Sequence, residues 1–186
     1  IASIIADKYQ MIIRTGMGAV MWSKNLKSVV VTETSLPKNE AIATKWKELT
    51  DRLTVQVANH QASKRLRDFG KPMLIKSKNQ VGDFASFNHQ KTKFQGTDSL
   101  DADAIKKITY QSSKCDNCTI ACIRKTRIGE IETEGPEYEP IWALGPRIGN
   151  ADLEYLVFLY NRCLEDGVDP IALGGILGFA MECYQK

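Results

Sequence analysis

The chain has 186 residues, 43% of them hydrophobic and 25% charged, with a formal net charge of +3. That is ordinary globular chemistry, enough for one domain or two small ones. The charge is too small to argue for a nucleic-acid partner, no apolar run reaches the roughly 20 residues that span a bilayer, and the opening IASIIADKYQ carries charge without a signal-peptide pattern.

In chain order, residues 1–13 read as a helix, with Ile1, Ile4, Ile5, Met11 and Ile12 at i, i+3, i+4 spacings. RTGMGAVMWSKNL, residues 14–26, reads as a glycine-bearing turn, and the following KSVVVTE as a short β-branched strand. SLPKNE marks a boundary, where Ser35 suits a cap and Pro37 a first helical turn. From about Asn39 to Phe69 the pattern is helical and charged, and Gly70 and Pro72 end it. Residues 70–100 look irregular. Asp101 then caps a helix running to Gln111. Residues 129–150, GEIETEGPEYEPIWALGPRIGN, are loop-rich. Asp152 to Glu165 is a strong amphipathic helix with Leu153, Leu156, Val157, Tyr160 and Leu164 on one face. GVDP closes it, and a last apolar helix runs from Ile171 onward. The fold class expected is mainly α with a short β remnant near the N-terminus. The chain has no initiating Met and lacks polar ends, so it reads as a piece of something larger.

Five cysteines argue weakly against a pure disulfide framework and fit a reducing, cytoplasmic setting with metal-bound or free thiols. Three of them, Cys115, Cys118 and Cys122, stand in KCDNCTIAC. Thiolates at C-x2-C-x3-C spacing are soft donors suited to zinc or an iron–sulfur cluster. No second C-x2-C knuckle favours a zinc ribbon, whereas iron–sulfur proteins often combine a tight run of three with a distant fourth ligand. Lys114, Arg124 and Lys125 flank the run and would lower thiol pKa values. The alternative is three cysteines buried on one helix face, against which Asp116 and Asn117 argue for a tight turn. Cys163 and Cys183 read as core residues. His60 and His89 receive no role.

Four separated stretches, in order, resemble one family. IRTGMGAVMWSKNLKS, residues 13–28, is similar to a G-R-G-G-x-G-A-V-M-G-S-K-N-L-K-A motif. CDNCTIAC is similar to a C-x2-C-P-x2-C run, EGPEYEP at 134–140 to E-G-P-E-Y-E-T, and LEDGVD at 164–169 to D-x-x-G-L-D. SFNHQKTKFQG resembles an N-x-Q segment between the first two. The chain thereby resembles the tungsten-containing aldehyde ferredoxin oxidoreductases over nearly its whole length.

The resemblance implies the helical domains of that family. Residues 1–36 would be the end of an N-terminal pterin-binding domain and residues 37–186 an incomplete helical domain. It implies a 4Fe–4S cluster on Cys115, Cys118 and Cys122, with the fourth ligand outside this chain, and a tungstopterin, with tungsten or molybdenum, contacted by Arg14, Gly16, Gly18, Ala19, Val168 and Asp169. It implies Glu139 as the catalytic carboxylate, buried beside the metal and accepting a proton. The parent reaction would oxidise an aldehyde to a carboxylic acid and pass electrons to ferredoxin, for which the basic SKRLRD stretch, residues 63–68, is either a docking site or a plain solvated face. A homo-oligomer is compatible with the family; the isolated chain is expected to lack activity. Departures are Ile13, Thr15 and Trp22 where the family has glycines, with Trp22 able to crowd the loop, and Leu164 where it has an Asp. A second reading is a non-catalytic helical module that binds a cluster or zinc.

Overall fold

The computed structural model describes residues 1–6, 9–32 and 40–186. The fold is mainly α, as expected, and its core is drawn from residues 75–164. Ile75, Phe84, Phe94, Leu100, Ile105, Ile141, Leu144, Leu156, Tyr160, Cys163 and Leu164 form one buried cluster.

The helix expected over residues 1–13 is instead a hairpin of β1 (Ile4–Ala6) and β2 (Gln10–Ile12), antiparallel with Ile4 opposite Ile12. Its isoleucines satisfy strand pairing as well as a helical period, and Tyr9 and Met11 pack against the main core. The glycine turn at 14–26 contains a helix, α1 (Met17–Ser23), started by Gly16 in the left-handed conformation at φ 68°. The strand expected in KSVVVTE is absent from the described residues: Val29, Val30 and Val31 are 68%, 82% and 89% exposed and no strand pairs with them. β-branched residues favour a pleated surface only where a neighbouring strand supplies one. The boundary expected at Ser35 and Pro37 lies outside the described residues.

α2 (Glu40–Asn59) and α3 (Gln61–Phe69) occupy the charged helical stretch, divided at His60. The His60 ring accepts a hydrogen bond from the Ala62 amide at 3.2 Å and so caps α3. Gly70 at φ 67° ends α3. The stretch expected to be irregular holds α4 (Leu74–Gln80) and buries Ile75, Phe84, Phe94 and Leu100. Asp101 caps α5 (Ala102–Ile108) through the Ala104 amide at 2.9 Å, but the chain then turns into β3 (Thr109–Ser113) instead of remaining helical to Gln111.

β3, β4 (Ile123–Ile128) and β5 (Ile131–Glu134) make an antiparallel sheet in the order β3-β4-β5. The charged sequence IRKTRI disguises β4 because its polar residues are paired across strands. Thr126 faces Thr133 with both buried, Arg127 meets Glu132 at 2.5 Å, and Lys125 meets Glu134 at 3.5 Å. Residues 129–150 also hold α6 (Tyr138–Leu144), which supplies Ile141 and Leu144 to the core.

α7 (Leu153–Glu165) and α8 (Pro170–Gln185) follow as expected, capped by Asp152 and Asp169. α6 and α8 cross closely: a Cβ on Gly174 would stand 2.2 Å from the Ala143 carbonyl oxygen. No helix among the described residues is long and apolar enough to cross a membrane.

Candidate functional site

Arg14, Gly16, Gly18, Val168 and Asp169, distant in sequence, converge at the N-terminus of α8. The Arg14 amide donates to Asp169 Oδ2 at 2.8 Å. Asp169 Oδ1 accepts from the Ile171 and Ala172 amides at 2.8 and 3.1 Å, so this 4%-exposed carboxylate caps α8 and holds the glycine turn at once. Ala2 forms a bridge with Val168, and the Ser3 amide donates to the Gly167 carbonyl at 2.8 Å. Gly18 lies directly on that strip: a Cβ there would meet Ser3 O at 2.4 Å. Gly16 is needed for its left-handed backbone, since a Cβ there would meet nothing within 4 Å. Ala19 donates its amide to Gly16 O at 3.1 Å and is exposed on α1. Trp22 is 77% exposed and does not crowd the loop. Leu164 is buried in the core, in keeping with an apolar residue at that position.

A cavity of about 350 Å³ opens beside this strip between β2, β4, α6 and α7. Glu134, Glu137 and Glu139 all line it, with Lys71 and Tyr160. Glu139 is exposed here and not buried as expected, because it stands in the first turn of the short helix α6. The partly buried carboxylates are its neighbours. Glu137 pairs with Lys71 at 2.6 Å, and Glu134 pairs with Lys125. Tyr160 donates its hydroxyl to the Glu134 carbonyl at 3.1 Å, and burial, with Glu137 second, raises its pKa. Burial opposes the Lys71 charge, but the hydrogen bond to Glu137, then the charges of Glu137, Glu139 and Cys122, outweigh it and raise its pKa. The sequence places Tyr160 on the apolar face of α7 and gives Lys71, Glu134 and Glu137 no role of their own. Nothing local marks Lys71; the EGPEYE stretch was the available signal for the two carboxylates.

The cysteine run forms the loop between β3 and β4, which rules out the helix-face alternative. Cys115 is exposed, and Cys118 and Cys122 are half-buried. Asn117 and Ala121 adopt positive φ values of 58° and 57°, winding the chain around the thiols. The Ile120 amide points at Cys118 Sγ at 3.4 Å. Burial, then Glu137, pushes the Cys122 thiol up, and Lys71 is the cation that opposes them. Two of the three flanking cations expected to do so, Arg124 and Lys125, have other partners. Lys125 pairs with Glu134. Arg124, 5% exposed, donates to Ser112 Oγ at 2.6 Å, to Leu66 O at 3.1 Å and to Arg67 O at the C-terminus of α3. Arg67 in turn donates to Thr119 O at 3.2 Å, so the end of α3 and the loop are tied together. Cys163 is core, as expected, with its thiol pushed up to about 11 by burial and then by Asp166 and Asp169; Cys183 is exposed and not core. Among the described residues no three His, Cys, Asp or Glu side chains are placed to hold a metal ion. The donor chemistry still suits a cluster: three soft thiols on one loop, one of them already facing a backbone N–H.

A family model described as aldehyde ferredoxin oxidoreductase, domains 2 & 3, matches residues 48–186. The chain belongs to the aldehyde ferredoxin oxidoreductase family. It is 35% identical over 190 residues to a tungsten-containing aldehyde ferredoxin oxidoreductase of Pyrococcus furiosus, covering all of this chain and 31% of the relative. The enzyme of the same description from Thermococcus kodakarensis is 33% identical over the same spans. The chain thus has the family of an oxidoreductase and spans about a third of the length of these curated relatives. Within the family match fall Lys71 and the carboxylates of the cavity, the cysteine loop and the Asp169 cap.

Proposed function

We propose that this chain is the part of an aldehyde-oxidising enzyme that holds one side of a tungstopterin and three corners of a 4Fe–4S cluster. The observation that carries the reading is the place of Lys71, which lines the acidic cavity and pairs with Glu137 at 2.6 Å while its neighbour Gly70 packs against the Cys122 carbonyl, so that the cavity adjoins the cysteine loop. Residues 1–36 belong to the pterin-binding domain in this reading and residues 37–186 to the helical part. The start of the family match for domains 2 & 3 at residue 48 is in keeping with that division.

The net reaction takes aldehyde and water to carboxylic acid, releasing two protons and two electrons. The bound tungstopterin and cluster supply the electron chemistry. Arg14, Gly16, Gly18, Ala19, Val168 and Asp169 form the pterin-facing strip: Gly16 leaves open space for close approach, and Gly18 lets the turn pack on residues 2 and 3. Cys115, Cys118 and Cys122 hold the cluster. Glu139 is the proton acceptor: it lines the cavity and its side chain is not engaged in an ion pair among the described residues. Lys71 neutralises Glu137, so a second carboxylate does not compete with it. Electrons leave to ferredoxin, with the SKRLRD face of α3 as the docking surface for its acidic side, in a cytoplasmic setting.

The test uses the whole protein that carries this chain. Glu139→Gln should lower aldehyde oxidation by about 100-fold or more while iron and tungsten contents stay at wild-type levels. Cys118→Ser should lose iron. Wild-type turnover in the Gln variant would remove Glu139 from the chemistry, and retained iron in the Ser variant would remove the cluster from this loop.

A further inference from the structure

A separate cavity of about 400 Å³ lies between Arg14, Arg147 and the face of α8 that carries Ala172, Gly175 and Phe179. Among the described residues neither guanidinium meets a carboxylate, and Arg147 Nε is a buried donor with no hydrogen-bond partner. The acid beside Arg14, Asp169, has its oxygens engaged by backbone amides.

Arg147 is held in place by its neighbours. Its guanidinium lies over the Trp142 ring, 5.0 Å from the centroid, and Trp142 is itself fixed by an Nε1 hydrogen bond to Ala85 O at 2.8 Å. On the other side is Gly175, where a Cβ would stand 2.9 Å from Arg147 Nη2, so glycine leaves room for the guanidinium. The backbone is anchored by the Asn88 amide, which donates to Arg147 O at 2.8 Å. Two like charges facing one apolar-walled space repel, and the apolar walls strengthen any attraction to an anion placed between them.

We infer that Arg14 and Arg147 together form an anion site that takes a phosphate group. A guanidinium fork matches two phosphate oxygens, and a second arginine opposite engages the remaining one. The phosphate belongs either to the pterin cofactor, which rests on the function proposed above, or to a separate phosphorylated compound; the anion site itself stands on the geometry alone.

The test is calorimetric titration of inorganic pyrophosphate, at low salt, into cofactor-free whole protein carrying this chain. Arg147→Ala and Arg14→Ala should each weaken binding at least tenfold, and Arg147→Lys, which keeps the charge and loses the fork, should weaken it to a lesser degree. Arg162→Ala, at an exposed arginine paired with Glu165 and Asp166, should leave it unchanged. No binding by the wild type, or wild-type affinity in both Arg147 variants, overturns the site. The Lys variant keeps the test decisive if the Ala variant does not fold. Pterin content of the same variants after expression with tungstate identifies the source. A parallel loss of pterin assigns the phosphate to the cofactor. Weakened pyrophosphate binding with unchanged pterin content keeps the site, assigns it to a separate phosphate, and counts against the pterin reading of the Arg14 turn.

Discussion

Replacing Asp169 tests how the candidate strip is held. Its carboxylate is 4% exposed and accepts three backbone hydrogen bonds, two from α8 and one from Arg14. Asp169→Ala removes the α8 cap, at a cost of about 1 kcal/mol. It also leaves the Arg14 amide without its partner, and an unsatisfied donor costs about 1–3 kcal/mol, with the lower end fitting a partly buried group. The sum is about 2–3 kcal/mol. Asp169→Asn keeps one side-chain oxygen and a good cap but loses the second acceptor, so about 1 kcal/mol is expected. Urea unfolding followed by tryptophan fluorescence and by far-ultraviolet circular dichroism measures both variants. The order wild type, Asn, Ala is the prediction. Two variants within about 0.5 kcal/mol of wild type would mean that Asp169 does not join the glycine turn to α8.

Other perturbations separate the remaining contributions. Gly18→Ala should disrupt the packing of α1 on residues 2 and 3, with a loss of more than about 2 kcal/mol in the same unfolding assay, because the new Cβ meets backbone at 2.4 Å. Gly16→Ala should cost only about 1 kcal/mol, the price of a left-handed backbone in open space. Arg124→Ala should cost about 3 kcal/mol and speed proteolysis within residues 114–122, since among the described residues only the Arg67–Thr119 bond then ties the cysteine loop to α3; Arg124→Lys should recover part of the stability. Native labelling with iodoacetamide, read by mass spectrometry, should modify Cys115 and Cys183 quickly and Cys163 only on unfolding. Because burial raises the Cys163 pKa from 9.0 to about 11, its contribution to stability is complete below pH 9 and lost as pH rises toward 11. Cys163→Ala should flatten that alkaline limb of the stability curve.

The capped helices were legible in the sequence because their signals are local. Asp101, Asp152 and Asp169 each stand at the first turn of a helix and cap it. The sheet was not legible, because β4 is stabilised by Lys125, Thr126 and Arg127 meeting partners on another strand, and no periodicity within IRKTRI reports those partners. The N-terminal hairpin was misread for a related reason: Ile4, Ile5, Met11 and Ile12 fit either period, and the decision comes from distant backbone at 167–169. At the site, motif order pointed to Arg14, Asp169, Glu139 and the three cysteines. Lys71 and Arg147 carry no motif, and only the folding of the chain brings them beside those residues.

The strip formed by residues 1–3 on residues 167–169 also sets an order of assembly. Ala2 pairs with Val168, and the Asp169 amide donates to Ile1 O at 2.8 Å, across nearly the full length of the chain. At roughly 5–20 residues per second of synthesis, residues 1–3 wait about ten to thirty seconds for residues 167–169 to emerge from the ribosome. Through that interval Ile1, Ala2 and Ser3 lack the backbone they pair with, and the glycine turn has no Asp169 to hold it. The strip closes only once residues 167–169 have been made, which makes it a late step of folding and leaves the glycine turn without its hold on Asp169 until then.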